Sequence, residues 1–445
     1  MTPETSGTQA FAAQYQARRD ALPGGGLDWL TDLREMAIAR FAEQGLPTPR
    51  AEAWKYTNLR ALEKLSFEPS TAAPTVGIDS LPSLLAAGSG HPRLVFVNGF
   101  LRPELSRCDG LPDGVQLEGL GALLDRQPAL AEALLTGMAG SDDLPLMALN
   151  AAMMADGALL RVGRGVSVEQ PIELVFFGAA GEAPLAYHPR LLVAMEENSQ
   201  AALVEIHSSL GDGVTLANLA TTIRLDQGAQ LDHVKLQDEN ESAFHLASLQ
   251  ARLGRDALYH GFGLALGAAL SRNEAAIALD GSGGHCRLVG GYLMHGSQHC
   301  DNTTVIEHKA PNTSCREVFK GALDGKSRGV FQGKIVVHKD AQQTDGHQLS
   351  RALLLSEGAE IDAKPELEIY ADDVKCSHGA TAGEIDHDAL FYLRSRGVPE
   401  ARARALLIEA FLAETVEQGV PEALREPLLR RISDWLGVAR SGAQD

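Results

Sequence analysis

Between Gly157 and Gly383 the apolar positions come in short runs, among them Ala202-Leu203-Val204-Glu205-Ile206, Thr222-Ile223-Arg224-Leu225 and Lys334-Ile335-Val336-Val337-His338. Small polar text closes each run. No helical spacing persists over these roughly 200 residues, so the runs predict strands. The closing turns resemble one another: Met195-Glu196-Glu197-Asn198-Ser199, Leu225-Asp226-Gln227-Gly228-Ala229, Leu253-Gly254-Arg255-Asp256-Ala257, Leu279-Asp280-Gly281-Ser282-Gly283, Leu323-Asp324-Gly325-Lys326-Ser327 and Leu355-Ser356-Glu357-Gly358-Ala359. Their apolar leads fall 30, 28, 26, 44 and 32 residues apart, and the fourth gap has room for two coils of about 22. A period of about 20–50 residues marks a stacked repeat. Strands joined by Gly/Asp turns predict a β-helix, in which each coil covers the edge of the one before. An irregular β-sandwich is the alternative reading.

The pattern changes on both sides of this core. In residues 1–156, Trp29, Leu30, Leu33, Ala37 and Phe41 recur at helical spacing, so Leu27–Gln44 predicts an amphipathic helix stopped by Gly45-Leu46-Pro47-Thr48-Pro49. Leu94-Val95-Phe96-Val97 before Asn98-Gly99 predicts a short strand entering a turn, within low-complexity Ser/Ala/Gly/Pro text. Residues 386–445 return to a helical period. Pro399 suits a first helical turn, and Ala403, Leu406, Leu407, Ala410 and Phe411 then form a stripe. A second helix after Val420-Pro421 carries Leu424, Leu428, Ile432, Trp435 and Leu436 on one face. The expected organisation is an N-terminal helical and mixed region (1–156), a β-helix core (157–385) and a C-terminal helical domain (386–445).

Composition narrows the class. The 445 residues suffice for a large core with flanking domains, and 44% hydrophobic with 22% charged residues suits a globular protein. The formal net charge of −19 and the lack of any long Lys/Arg run argue against nucleic-acid binding. No apolar stretch approaches the roughly 20 residues that span a bilayer, and Met1 to Asp20 is polar, so the cytoplasm is the expected location. Five scattered cysteines (Cys108, Cys286, Cys300, Cys315, Cys376) form no CxxC pair, which argues against a disulfide framework and a structural zinc site.

Few motifs carry chemistry. Gly321-Ala322-Leu323-Asp324-Gly325-Lys326-Ser327 is one residue short of a P-loop and sits among strands, and Gly261-Phe262-Gly263 fails the dinucleotide fingerprint, so no ATP site is expected on this chain. No GxSxG elbow is present. A β-helix can house a carbohydrate-active enzyme, but with only three Trp, all near the two ends, a sugar-binding groove has little aromatic platform. His285-Cys286, His299-Cys300 and Cys376-Ser377-His378 are the close thiol–imidazole pairs. In a strand, positions i and i+2 share a face, so Cys376 and His378 would stand side by side as ligands for iron or an iron–sulfur cluster. Two ligands do not close a site. A buried small thiol with a hydrogen-bonded histidine is the structural alternative.

Lys375-Cys376-Ser377-His378-Gly379-Ala380-Thr381-Ala382-Gly383-Glu384-Ile385-Asp386, continuing through Leu390-Phe391-Tyr392-Leu393-Arg394-Ser395-Arg396-Gly397, resembles the SufB/SufD family of iron–sulfur cluster assembly scaffolds, on its SufD side. Phe331-Gln332-Gly333-Lys334-Ile335, Gln342-Gln343-Thr344-Asp345 and Glu52-Ala53-Trp54-Lys55-Tyr56-Thr57 extend the likeness. SufB-type chains carry a functional cysteine in the segment resembling Gln343-Thr344-Asp345, and a Glu-His-Glu pattern where this chain has Ser377-His378-Gly379. The resemblance implies a mainly β fold: a right-handed parallel β-helix with an N-terminal α-helical region and a C-terminal α-helical domain. It implies a non-catalytic scaffold in complex with SufB and two copies of the ATPase SufC, or a homodimer of this chain in isolation. The C-terminal helices, with Leu406, Leu407, Ala410 and Phe411, would dock SufC. The last strands would pair with SufB, and a transient iron–sulfur cluster would form at that junction with His378 as ligand and Cys376 assisting. ATP-driven SufC dimerisation would strain the seam open.

Overall fold

The structure, a computed structural model, describes residues 7–71, 74, 81–85, 90–137 and 144–437. The extreme N-terminus and parts of the low-complexity text lie outside the described residues.

Eight coils form the core, from Gly157–Val162 and Ile172–Gly178 at one end to Glu360–Ile369 and Val374–Gly383 at the other. Each coil gives one strand to each of two sheets, and the coils pair in parallel. Parallel neighbours cannot be joined by a tight hairpin. The chain solves this by crossing to the opposite sheet and returning one level further along. The mainly β solenoid expected from the turn spacing is therefore present, with helices on both sides of it in sequence.

The internal phase of the repeat differs from the expectation. Met195, Leu225, Leu253 and Leu279 are register partners in the first sheet. The next partners are His308, Val337 and Ile369, whereas Leu323 ends a strand of the second sheet. The long gap is thus one full coil plus half of the next, not two short coils. Both sheets end in similar Gly/Asp turns, and His308 lacks the apolar character of the other leads, so pattern alone could not keep the phase.

The N-terminal region closes the first coil. Arg93–Val97 pairs in parallel with Ile172–Gly178, and Val115–Gly119 pairs antiparallel with Gly157–Val162. The strand expected at Leu94–Val97 therefore belongs to a core sheet. Asn98 and Gly99 adopt φ of 52° and 80° in the two-residue turn to Phe100–Leu101. The predicted first helix spans Asp28–Gln44 and buries Leu30, Ala37, Ile38 and Phe41; Gly45 ends it at φ 74° with its N–H on Phe41 O. Gly7–Arg18, Leu120–Arg126, Pro128–Gly137 and Pro145–Met153 are further helices that the apolar pattern did not reveal.

The Glu52–Thr57 motif straps the N-terminal region to the outside of the first sheet. The Arg272 guanidinium lies 3.9 Å from the centre of the Trp54 ring, donates to Ala53 O at 2.8 Å and pairs with Glu274 and Asp301. Thr57 Oγ1 donates to Asp301 and lies 2.9 Å from His299 Nε2. Arg272 is fully buried, so its charge depends on these partners. On the second sheet, helix Glu400–Gly419 buries Leu412 and Val416 in one apolar cluster with Phe262 and Val289, and its Gly419 lies against both of these. Arg272→Ala is expected to lower stability by about 3–5 kcal/mol, because Asp301 loses its buried cation. Urea denaturation followed by tryptophan fluorescence reads this.

Candidate functional site

Along each strand of the second sheet, alternate side chains point into the solenoid. One inward file stacks Leu231, Tyr259, Cys286, Cys315, Gly346 and Cys376 in register. A methyl group on Gly346 would lie 3.5 Å from Cys315 Sγ and 3.6 Å from Cys376 Sγ. Gly346 therefore leaves a notch between the thiols of two coils. Cys315 Sγ also lies 3.2 Å from His308 Nε2. Burial, followed by the charge of Asp345 among the raising causes, pushes the Cys376 thiol up; the Gly346 backbone hydrogen bond opposes this. Cys376 is a protonated thiol near neutrality, and a metal would have to displace that proton.

The neighbouring inward file stacks Leu288, Glu317, Gln348 and His378. Among the described residues no strand pairs with the outer edge of Val374–Gly383 or of Glu360–Ile369. Position i and position i+2 on this terminal strand thus meet different surroundings. Cys376 is half-buried against the core below, and His378 is exposed. Beneath it, Gln348 Nε2 donates to Glu317 Oε2 at 2.7 Å. Glu317 is fully buried, and burial pushes its carboxyl up to about 7 against the lowering hydrogen bond from Gln348.

The other thiol–imidazole pairs separate. Cys286 and Cys300 are buried in the interior, whereas the adjacent His285 and His299 face outward onto Ser314 Oγ (2.8 Å) and Thr57 Oγ1. Adjacent strand residues point to opposite faces, so neighbours in sequence cannot share a ligand. Among the described residues no three His, Cys, Asp or Glu side chains converge to hold a metal ion. Gly321 and Gly325, from the P-loop-like text, serve coil stacking: a methyl on Gly321 would come within 1.9 Å of the Tyr292 ring, and Gly325 turns the chain at φ 68°.

Sequence reasoning missed a chamber inside the middle coils, mostly apolar in its lining but edged by charged and polar groups. It is a cavity of about 120 Å3 bordered by Glu205, His233, Lys235, Asn273 and Tyr259. Glu205 accepts from His207 (3.0 Å) and His233 (2.6 Å), and these partners hold its carboxyl well below the usual range despite burial. Lys235 Nζ donates to Asn273 Oδ1 at 3.0 Å. The available signal was the period-2 placement of Glu205/His207 and His233/Lys235 within apolar strands.

The C-terminal stripe also sits differently from its expected role as one face. Helix Glu400–Gly419 buries Ala403, Ala405, Ile408, Leu412, Thr415 and Val416. Leu406, Leu407 and Phe411 are half-buried on its flank and Ala410 is exposed. The Phe411 ring lies 4.7 Å from Lys320 Nζ. Phe391 and Tyr392, on helix His387–Ser395, are 72% and 56% exposed.

The fold is a two-sheet parallel β-solenoid, closed at its first coil and, among the described residues, unpaired at its last, with a thiol and an imidazole on the last strand. The family model for the SufBD core domain of SUF system FeS cluster assembly matches residues 176–411, and that for the SufBD protein N-terminal region matches residues 5–174. The chain belongs to the SufBD family of iron–sulfur cluster assembly proteins. It is 33% identical to the iron–sulfur cluster assembly protein SufD of Escherichia coli, over 91% of this chain and 92% of that one. A SufBD family protein of Synechocystis is 32% identical over 90% of each chain, and SufD of Bacillus subtilis 26% identical over 90% of this chain and 92% of its own.

The raised carboxyl of Glu317 gives stability a defined pH slope. The folded state holds that proton more tightly than the unfolded chain, whose carboxyl titrates near 4.5, so this contribution falls as pH rises from about 4.5 through about 7. Glu317→Gln is expected to gain on the parent across that window by on the order of 3 kcal/mol. Urea denaturation at both ends of the window measures the difference.

Proposed function

We propose that this chain is a non-catalytic, cytoplasmic scaffold subunit of SufD type, working with a SufB subunit and the ATPase SufC to assemble iron–sulfur clusters. The observation that carries the reading is the terminal strand Val374–Gly383, whose outer backbone edge is unpaired among the described residues, with Cys376 half-buried and His378 exposed beside it. An open parallel edge invites another strand, and a partner's strand there would bring further ligands to His378 and Cys376. The nascent cluster is the cargo of this junction, shared transiently with SufB. In the absence of SufB, the same edge suits a second copy of this chain. Among the described residues no helix is long and apolar enough to cross a membrane. The family match leaves a carbohydrate-active reading without support.

The C-terminal helical domain is the proposed dock for SufC. Its helices rest on the second sheet through Leu412 and Val416, so force applied to them reaches the coils directly. ATP-driven SufC dimerisation would then strain the seam and admit iron and sulfur. Leu406, Leu407, Ala410 and Phe411 form the contact, extended by the exposed Phe391 and Tyr392.

His378→Ala is expected to leave the complex assembled and to cut cluster yield about tenfold or more, read by visible absorption after anaerobic co-expression with SufB and SufC. Unchanged yield removes the ligand role. Ala410→Arg, at an exposed position, is expected to weaken SufC binding by about 1–3 kcal/mol in calorimetry, with no loss of thermal stability. Unaltered affinity removes the stripe from the docking surface.

A further inference from the structure

Glu317, Gln348 and His378 hold the same inward position on three successive strands of the second sheet. Neighbouring strands lie about 4.8 Å apart, so side chains stacked in register are within reach of one another. Gln348 is 3% exposed and commits its amide NH2 to Glu317 Oε2 at 2.7 Å. A primary amide is planar, so its carbonyl oxygen is turned away from the atom that its nitrogen faces. Gln348 Oε1 is buried and has no hydrogen-bond partner. Such an oxygen ordinarily costs about 1–3 kcal/mol and calls for a donor. The next side chain along the file is His378, and an imidazole N–H is a donor of the required kind.

We propose that Gln348, oriented by Glu317, is a positioning residue for His378. When the exposed imidazole turns over the file, the free Oε1 accepts one imidazole N–H, which fixes the tautomer and leaves the other ring nitrogen unprotonated toward the open end. A metal-ligating histidine needs this arrangement, because a neutral nitrogen with a free lone pair binds metal and the opposite N–H must be held. Glu317 acts one step further back. As a buried acceptor it selects which end of the Gln348 amide faces the histidine. The role rests on the reading of His378 as a ligand, but the tautomer can be measured without any cluster.

The test uses the full chain labelled with 15N-histidine, with His378→Ala identifying the resonances. At alkaline pH, wild-type His378 is expected in a single neutral tautomer, and Gln348→Leu is expected to return it to the mixture of free imidazole. Leucine at 348 strands the Glu317 carboxyl, so the double variant Glu317→Leu/Gln348→Leu removes both polar groups and should give the same mixture in an intact core. A free-imidazole mixture in the wild type, or a single tautomer surviving in both variants, overturns the proposal. In co-expression with the partner subunits, Gln348→Leu is expected to lower cluster yield about tenfold or more. Full yield from Gln348→Leu while His378→Ala fails overturns the positioning role alone. Full yield from His378→Ala overturns the ligand reading, and the tautomer result then stands on its own.

Discussion

The ladder of parallel backbone hydrogen bonds between coils is the constraint on which the rest of this molecule depends. Each strand satisfies its own peptide groups only through the strands above and below it. Interior coils therefore need no further support, and the difficulty is confined to the two ends. At the first coil the protein supplies its own cover: Arg93–Val97 extends one sheet and Val115–Gly119 the other. At the last coil the ladder stops among the described residues, with Glu360–Ile369 and Val374–Gly383 as edges. This asymmetry gives the solenoid a direction, and the candidate site lies at the end that the chain leaves unsatisfied.

The same ladder explains why single side chains matter out of proportion to their size. In-register stacking makes each inward position a continuous file, so a missing side chain at Gly346 becomes a notch between Cys315 and Cys376. Likewise a hydrogen bond between Gln348 and Glu317 bears on the residue above them. Polar groups in the interior are tolerated where such files satisfy them, as Glu205 is by His207 and His233. Acceptors are left over in the file that leads to His378, at Glu317 Oε1 and at Gln348 Oε1. Clamps on the outside hold the flanking regions in place: Arg272 with Trp54 and Asp301 on one sheet, and the Leu412/Val416 face of the long helix on the other. The proposed mechanical coupling between a docked ATPase and the open end would run through the second of these.

Much of this was legible in the sequence. Short apolar runs and recurring Gly/Asp turns favoured a stacked all-β core, since a repeat of strands without helices must bury its faces against neighbouring repeats. Helix Asp28–Gln44 and the two long C-terminal helices were readable because each carries a sustained apolar stripe and a Gly or Pro boundary. Cys376 and His378 could be singled out because adjacent inward positions on a strand have a fixed parity. The family text around them pointed to the same pair.

Tertiary structure alone decided the rest, because it depends on which residues distant in sequence become register partners. The phase of the repeat was lost at His308, where the lead residue changes character while the backbone register continues. Helix Glu400–Gly419 has apolar residues on more than one side, and only the sheet it meets selects Ile408, Leu412 and Val416 over Leu406, Leu407 and Phe411. The split between a half-buried Cys376 and an exposed His378 is likewise invisible in a strand's alternation. It follows from what lies beneath each residue, a glycine notch in one case and a hydrogen-bonded glutamine in the other, and from the absence of a ninth coil above them among the described residues.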